Sequence, residues 1–217
     1  MRIAYASDTH LEFADLVLNN DMDADVLVLA GDICVAKNLL EYDDAYPDFR
    51  SERIHNFFIS CSQKFKHIVY VAGNHESYHY DIVNTIPNLR KCLGYIKNLY
   101  ILDKESVEID GVVFVGATMW TDMNDRDPET IDTVRYGMND FRVIQNSKKW
   151  VSYKVPVVDG VDRSDLDFDD NKLERMETRY RIGKWDTVDA VEEFERTISY
   201  FTETISGDNK YVVVTHH

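Results

Sequence analysis

Three short apolar runs in this chain each break off into residues that can ligate a metal. Ile3–Ser7 leads into Asp8, Thr9 and His10. Val26–Ala30 leads into Gly31 and Asp32, and Ile68–Ala72 leads into Gly73, Asn74, His75 and Glu76. Apolar, β-branched runs of this length read as buried parallel strands. Ligands of open α/β sheets bind beyond the carboxyl ends of such strands. Asp8, His10, Asp32, Asn74 and His75 are therefore expected to meet at one place able to hold metal.

The connecting segments support an α/β arrangement. Ile54, Phe57, Phe58, Cys61 and Phe65 fall at helical spacing and predict an amphipathic crossover helix before the third run. A weaker helix is predicted from Pro87 to about Lys97, with Leu89, Cys92, Leu93 and Ile96 on one face and Pro87 in its first turn. Strands are expected at Leu99–Leu102, Val107–Ile109 and Val112–Ala117, with a hairpin turn at Asp110-Gly111. From Trp120 to about Asp170 the pattern reads as acidic loop. Its run Asp165–Asp170 lacks the spacing of a calcium-binding loop and reads as solvated surface. A final helix is predicted over 187–205, with Val188, Val191, Phe194, Ile198, Phe201 and Ile205 as its apolar stripe, capped by Asp186 and ended by Gly207. Tyr211–Thr215 then forms a fourth run, which ends in His216 and His217.

Size and charge narrow the function. The 217 residues suit one domain, and 44% hydrophobic with 29% charged residues is ordinary for a soluble globular protein. No apolar run approaches the ~20 residues of a membrane span. The N-terminus has no signal-peptide shape, and Cys34, Cys61 and Cys92 are odd in number and far apart. A reduced, cytoplasmic protein is expected. Lys plus Arg number 24 against 39 Asp plus Glu, a net charge of −15. With no basic patch, long nucleic acid is disfavoured as a partner and a small phosphorylated substrate is favoured.

The residue types match hydrolytic metal chemistry. Carboxylates, imidazoles and an amide oxygen suit hard or borderline divalent cations. Two such ions about 3.5–4 Å apart can clamp a phosphoryl group, provided one carboxylate bridges them. Taken singly, D-x-H, Gly-Asp and a strand-end His are weak signals. Their strength lies in recurring after successive strand patterns.

Asp8-Thr9-His10, Gly31-Asp32 and Gly73-Asn74-His75-Glu76 together resemble the first three blocks of the calcineurin-like metallophosphoesterase superfamily. Val212–His217 resembles the fourth. Gly116–Thr121 and Met138–Phe141 resemble stretches of its bacterial and phage-type members. The resemblance implies a four-layer α/β/β/α sandwich with mixed sheets. It implies a single domain over 1–217, with an acidic insertion at about 121–186. The family's Gly-His-x-His block is not in the chain, which therefore reads as C-terminally incomplete and lacking its last strands. The implied cofactors are two divalent ions, Mn²⁺ foremost, with Fe, Zn, Ni or Mg as options. One ion falls to Asp8, His10 and Asp32, and the other to Asp32, Asn74 and His216. His75 faces the phosphate as catalytic acid or stabiliser, helped by Glu76.

The expected activity is hydrolysis of a phosphomonoester or phosphodiester by a hydroxide held at the dinuclear centre. Two alternatives stay open at the level of sequence: a nuclease acting on nucleic-acid ends, and a non-catalytic metal-binding or scaffold protein with an incomplete site. A protein phosphatase fits less well, because Ile33–Lys37 supplies no Arg to grip phosphate.

Overall fold

A computed structural model describes residues 1–39, 49–156 and 176–216. The acidic run Asp165–Asp170 and His217 lie outside the described residues. The three opening runs form β1 (Ile3–Ala6), β2 (Val26–Ala30) and β3 (His67–Val71), and β4 (Leu99–Leu102) follows. They pair in the order β1-β2-β3-β4, all parallel. A second sheet, ordered β5-β6-β9, contains β5 (Glu105–Ile109), β6 (Val112–Thr118) and β9 (Lys210–His216). The β5–β6 hairpin turns at Asp110 and Gly111, whose φ angles of 49° and 73° are those of a tight hairpin turn. β9 runs parallel to β6, which places His216 opposite Thr118.

Side-chain alternation along the central strands builds the layers. Leu27, Leu29, Ile68 and Tyr70 face α1 (Phe49–Lys64) and α2 (Ile82–Leu93), where Phe57, Phe58, Leu89 and Leu93 complete one core. Their neighbours Val26, Val28, Val69 and Val71 face the second sheet, against Phe114 and Val214. On the far side, Val115 and Ala117 of β6 pack on Phe201 of α6 (Thr187–Thr204). The order helix, sheet, sheet, helix is the four-layer α/β/β/α sandwich. Each fully buried side chain of the size of Phe58 contributes ~1.5–3 kcal/mol.

Four local readings need correction. Residues 120–156 are not loop. They form the left-handed turn α3 (Met123–Arg126), whose four residues all have positive φ, and the helices α4 (Pro128–Gly137) and α5 (Asp140–Val143), then β7 (Gln145–Pro156), which pairs antiparallel with β8 (Met176–Lys184). Trp150, Tyr153 and Tyr180 of this hairpin are exposed, so no buried face marks it in the sequence. Pro87 sits inside α2 rather than in its first turn, because Asp81 caps the helix earlier by accepting from the Val83 amide. β1 is an edge strand, with Ile3 and Tyr5 exposed on one face. The buried face of α6 is shifted from the predicted stripe: Ala190, Val191, Thr197 and Phe201 are buried while Val188 is exposed. The Asp186 cap is present as a full capping box with Asp189. The three cysteines are unbonded, and no described helix is long and apolar enough to cross a membrane.

Candidate metal centre

The candidate residues converge because the loops after β1, β2 and β3 are tied to one another. The amides of Asp8, His10 and Leu11 donate to the carbonyls of Gly31, Asp32 and Ile33 at 3.1, 3.0 and 2.9 Å. The pairing of β1 with β2 thus continues past both strands and lays Asp8 and His10 beside Asp32. Glu76 ties the next pair of loops. Its buried carboxylate accepts from the amides of Asp32 (3.1 Å), Ile33 (2.8 Å) and Gly73 (2.7 Å), and from the Tyr70 hydroxyl (2.7 Å).

Glu76 was expected to help His75, and its charge is among those that raise the His75 pKa. Its oxygens are taken up by backbone donors, and among the described residues none of its hydrogen bonds reaches His75. Glu76 is a buried brace beneath the site. Burial, and then the charge of Asp32, push its carboxyl above the ordinary range.

Asp32 is the hub. One ligand atom each from Asp8, Asp32 and His216 lie within 4.8 Å of one another, and so do one each from His10, Asp32 and His75. Asp8, His10 and Asp32 hold φ angles of 54°, 47° and 55°, in the left-handed region that non-glycine residues seldom occupy. Such strain clusters at functional sites. The Asp32 carboxylate accepts from the His75 amide at 2.9 Å and faces His216 Nε2 at 3.4 Å. His216 arrives from the second sheet, its Nδ1 donating to the Ala30 carbonyl at 2.7 Å.

The grouping differs from the expected division. His10 lies with His75 and Asp32, and Asp8 lies with His216 and Asp32. Asn74 is buried, and its Nδ2 donates to Asp140 Oδ1 at 2.6 Å. A carboxylate only accepts, so the amide oxygen, the end able to ligate a cation, faces away from Asp140.

Charges in the cluster support each other. Burial alone would raise the Asp32 carboxyl, but the His216 hydrogen bond and the His75 amide hold it below its usual value. Burial would lower His75, yet its hydrogen bond to Glu12 and the surrounding carboxylates hold it above the ordinary imidazole value. The same contest, decided by Asp32, lifts His216 to about 9.

Three further residues belong to the site, and sequence reasoning missed them. Glu12 Oε1 lies 3.2 Å from His10 Nδ1 and 3.1 Å from His75 Nδ1. The Tyr78 ring stacks on His75 with centroids 4.0 Å apart. Asp140 holds Asn74 from 66 positions away. Glu12 carried a local signal, as an acid two positions past a strand-end His, and Asp140 falls within the stretch Met138–Phe141 that resembles members of the superfamily. A cavity of about 740 Å³ opens nearby, touching Gly73 and Thr118 and lined by Trp120, Trp185 and paired charges. None of the candidate ligands lines it.

The donor set of carboxylate, imidazole and amide fits divalent cations. His10, His75 and His216 each have Nδ1 engaged by an oxygen, the arrangement seen for metal-bound histidines.

Comparison with known proteins agrees with this. An uncharacterised protein (L509) of Acanthamoeba polyphaga mimivirus is 26% identical over 236 residues, a match spanning all of this chain and 68% of the viral protein. A solved phosphopantetheinyl hydrolase from Mycobacterium tuberculosis superposes with a TM-score of 0.58 at 13% identity, over 99% of this chain and 67% of that one, and so shares the fold. The calcineurin-like phosphoesterase family model matches residues 1–191. That match takes in Asp8, His10, Asp32, Asn74 and His75, while His216 lies beyond it and joins the cluster by geometry. The chain belongs to the calcineurin-like phosphoesterase family, and is in general terms a metal-dependent phosphohydrolase.

Proposed function

We propose that this chain hydrolyses phosphate esters of small molecules at two divalent cations that share Asp32. The observation that carries the reading is that Asp32 lies within 4.8 Å of ligand atoms of Asp8 and His216 in one group and of His10, with His75 beside it, in another. Asp8 and His216 flank it for one ion and His10 for the other, with the Asn74 amide oxygen as a further neutral ligand. When bound, the ions supply Lewis-acid polarisation of a phosphoryl oxygen and acidify water. Mn²⁺ is the first ion to test, since every donor is oxygen or imidazole nitrogen.

His75 has the chemistry of an acid. Its Nδ1 is committed to Glu12, whose hydrogen bond, with the nearby carboxylates, holds its pKa above the ordinary imidazole value against burial. A proton on Nε2 would serve a leaving ester oxygen, a role contributing typically ~10²–10⁴-fold. Small substrates are favoured by the net charge of −15, which opposes a polyanion.

The test is calorimetric Mn²⁺ titration together with hydrolysis of an aryl phosphate and a bis-aryl phosphate, which separates monoesters from diesters. Asp32→Ala is expected to abolish two-ion binding and turnover. His75→Ala should keep the ions and lose about 10²–10⁴-fold in rate. Near-normal turnover in Asp32→Ala would remove the bridging role.

A further inference from the structure

We infer that Glu12 is the shared anchor of His10 and His75, a positioning residue that holds the Nδ1–H of both imidazoles so that both present Nε2 to the metal centre. One oxygen serves both rings: Glu12 Oε1 is 3.2 Å from His10 Nδ1 and 3.1 Å from His75 Nδ1. The rings meet edge to face with centroids 4.4 Å apart. A carboxylate accepts and does not donate, so each Nδ1 must carry its proton and each Nε2 is left as the nitrogen with a free lone pair. A hydrogen bond to one ring nitrogen thus decides which nitrogen meets a metal.

Glu12 is well placed for this. Its side chain is 11% exposed. The preceding Leu11 is fully buried, with its amide on the Ile33 carbonyl and its carbonyl accepting from Arg53. The backbone that carries Glu12 is therefore fixed. Glu12 Oε2 is buried and has no hydrogen-bond partner among the described residues. A half-satisfied buried carboxylate costs stability, so the fold gains less from Glu12 than a purely structural acid would give. What the carboxylate does secure is the tautomer of two histidines at once. The inference rests on the two-ion reading above only in what the Nε2 atoms face.

Glu12→Leu removes the acceptor while filling the space. In the metal-free protein at alkaline pH, long-range ¹H–¹⁵N spectra report which ring nitrogen carries the proton. The parent chain should show Nδ1–H for His10 and His75, and Glu12→Leu a mixture of tautomers. Mn²⁺ binding by calorimetry should weaken about 10- to 100-fold, as for other groups that orient ligands, while the thermal midpoint stays level or rises. Unchanged tautomers and Mn²⁺ affinity in a folded Glu12→Leu protein would overturn the assignment. Should that variant fail to fold, Glu12→Asp decides. It keeps the charge but withdraws the carboxylate by one methylene, so mixed tautomers and weaker Mn²⁺ binding are expected, and no change in either overturns the proposal. If the parent chain binds no Mn²⁺, the two-ion reading falls, while the ring-proton spectra still settle what Glu12 does.

Discussion

Gly73 leaves no room for a methyl group. A Cβ there would overlap the Asp32 carboxylate and the His216 ring, and a Cβ on Gly31, where φ is 82°, would overlap His216 as well. Both glycines therefore exist so that a carboxylate from one sheet and an imidazole from the other can touch. Gly-Asp and Gly-Asn-His-Glu were legible in sequence because each follows an apolar run whose end is a fixed place in the fold. Asp140 was not, since its contact with Asn74 is made across the fold, and Tyr78 was not, since its place three positions after His75 does not say that the two rings stack. The Asp32–His216 contact has a pH consequence in the metal-free protein. His216 is raised to about 9 when folded, against 6.5 for an ordinary imidazole. A raised folded pKa stabilises fully below about pH 6.5, and that stabilisation is lost as pH climbs through 9. Chemical denaturation in EDTA should therefore show stability falling between about pH 6.5 and 9. Mn²⁺ affinity should rise over the same range, because Nε2 must lose its proton to ligate. A flat stability profile there would show that the pair contributes nothing to the fold.

At the level of elements, what could be read was whatever buries one face. β2 and β3 alternate between a helix-facing set and a sheet-facing set, and both sets are apolar, so the two strands stood out as continuous runs. α1 stood out through Ile54, Phe57, Phe58 and Cys61, all buried on one side. The β7–β8 hairpin could not be read this way, because Trp150, Tyr153, Tyr180 and Ile182 stay exposed. Pro87 misled for a different reason: it marks a helix start only when nothing upstream caps better, and Asp81 does. Glu76 was legible as a site residue but not in its true part. Its identity as an acid beside a strand-end His says nothing about which way the carboxylate turns, and it turns inward to bind the loops after β2 and β3. Glu76→Gln puts an NH₂ group among those donors. It is expected to lower stability by about 1.5–3 kcal/mol, the range for hydrogen bonds to a charged group, and to loosen Asp32 with it. The urea midpoint measures the first effect and Mn²⁺ affinity the second. An unchanged midpoint would mean that water replaces the lost acceptor.

Across the whole molecule, the centre is the place where two sheets are joined by side chains rather than by packing alone. Asp8, Asp32 and His75 stand at the ends of β1, β2 and β3 in the first sheet, and His216 closes β9 in the second. Asp32 reaches His216 across the gap, 3.4 Å from its Nε2. A cation held by both therefore acts as a clasp between the layers, and its binding energy becomes folding energy because the unfolded chain offers no such site. Free Mn²⁺ at 100 times its dissociation constant should add about 2.7 kcal/mol. For a chain of this length that corresponds to a rise of roughly 5–10 °C in the thermal midpoint. His216→Ala should remove more of this rise than His10→Ala, because only His216 ties in the second sheet. EDTA should reverse the rise in the parent chain. A midpoint that ignores millimolar Mn²⁺ would show that the ions do not bind across the layers, whereas equal losses in the two variants would show that the clasp closes within the first sheet alone.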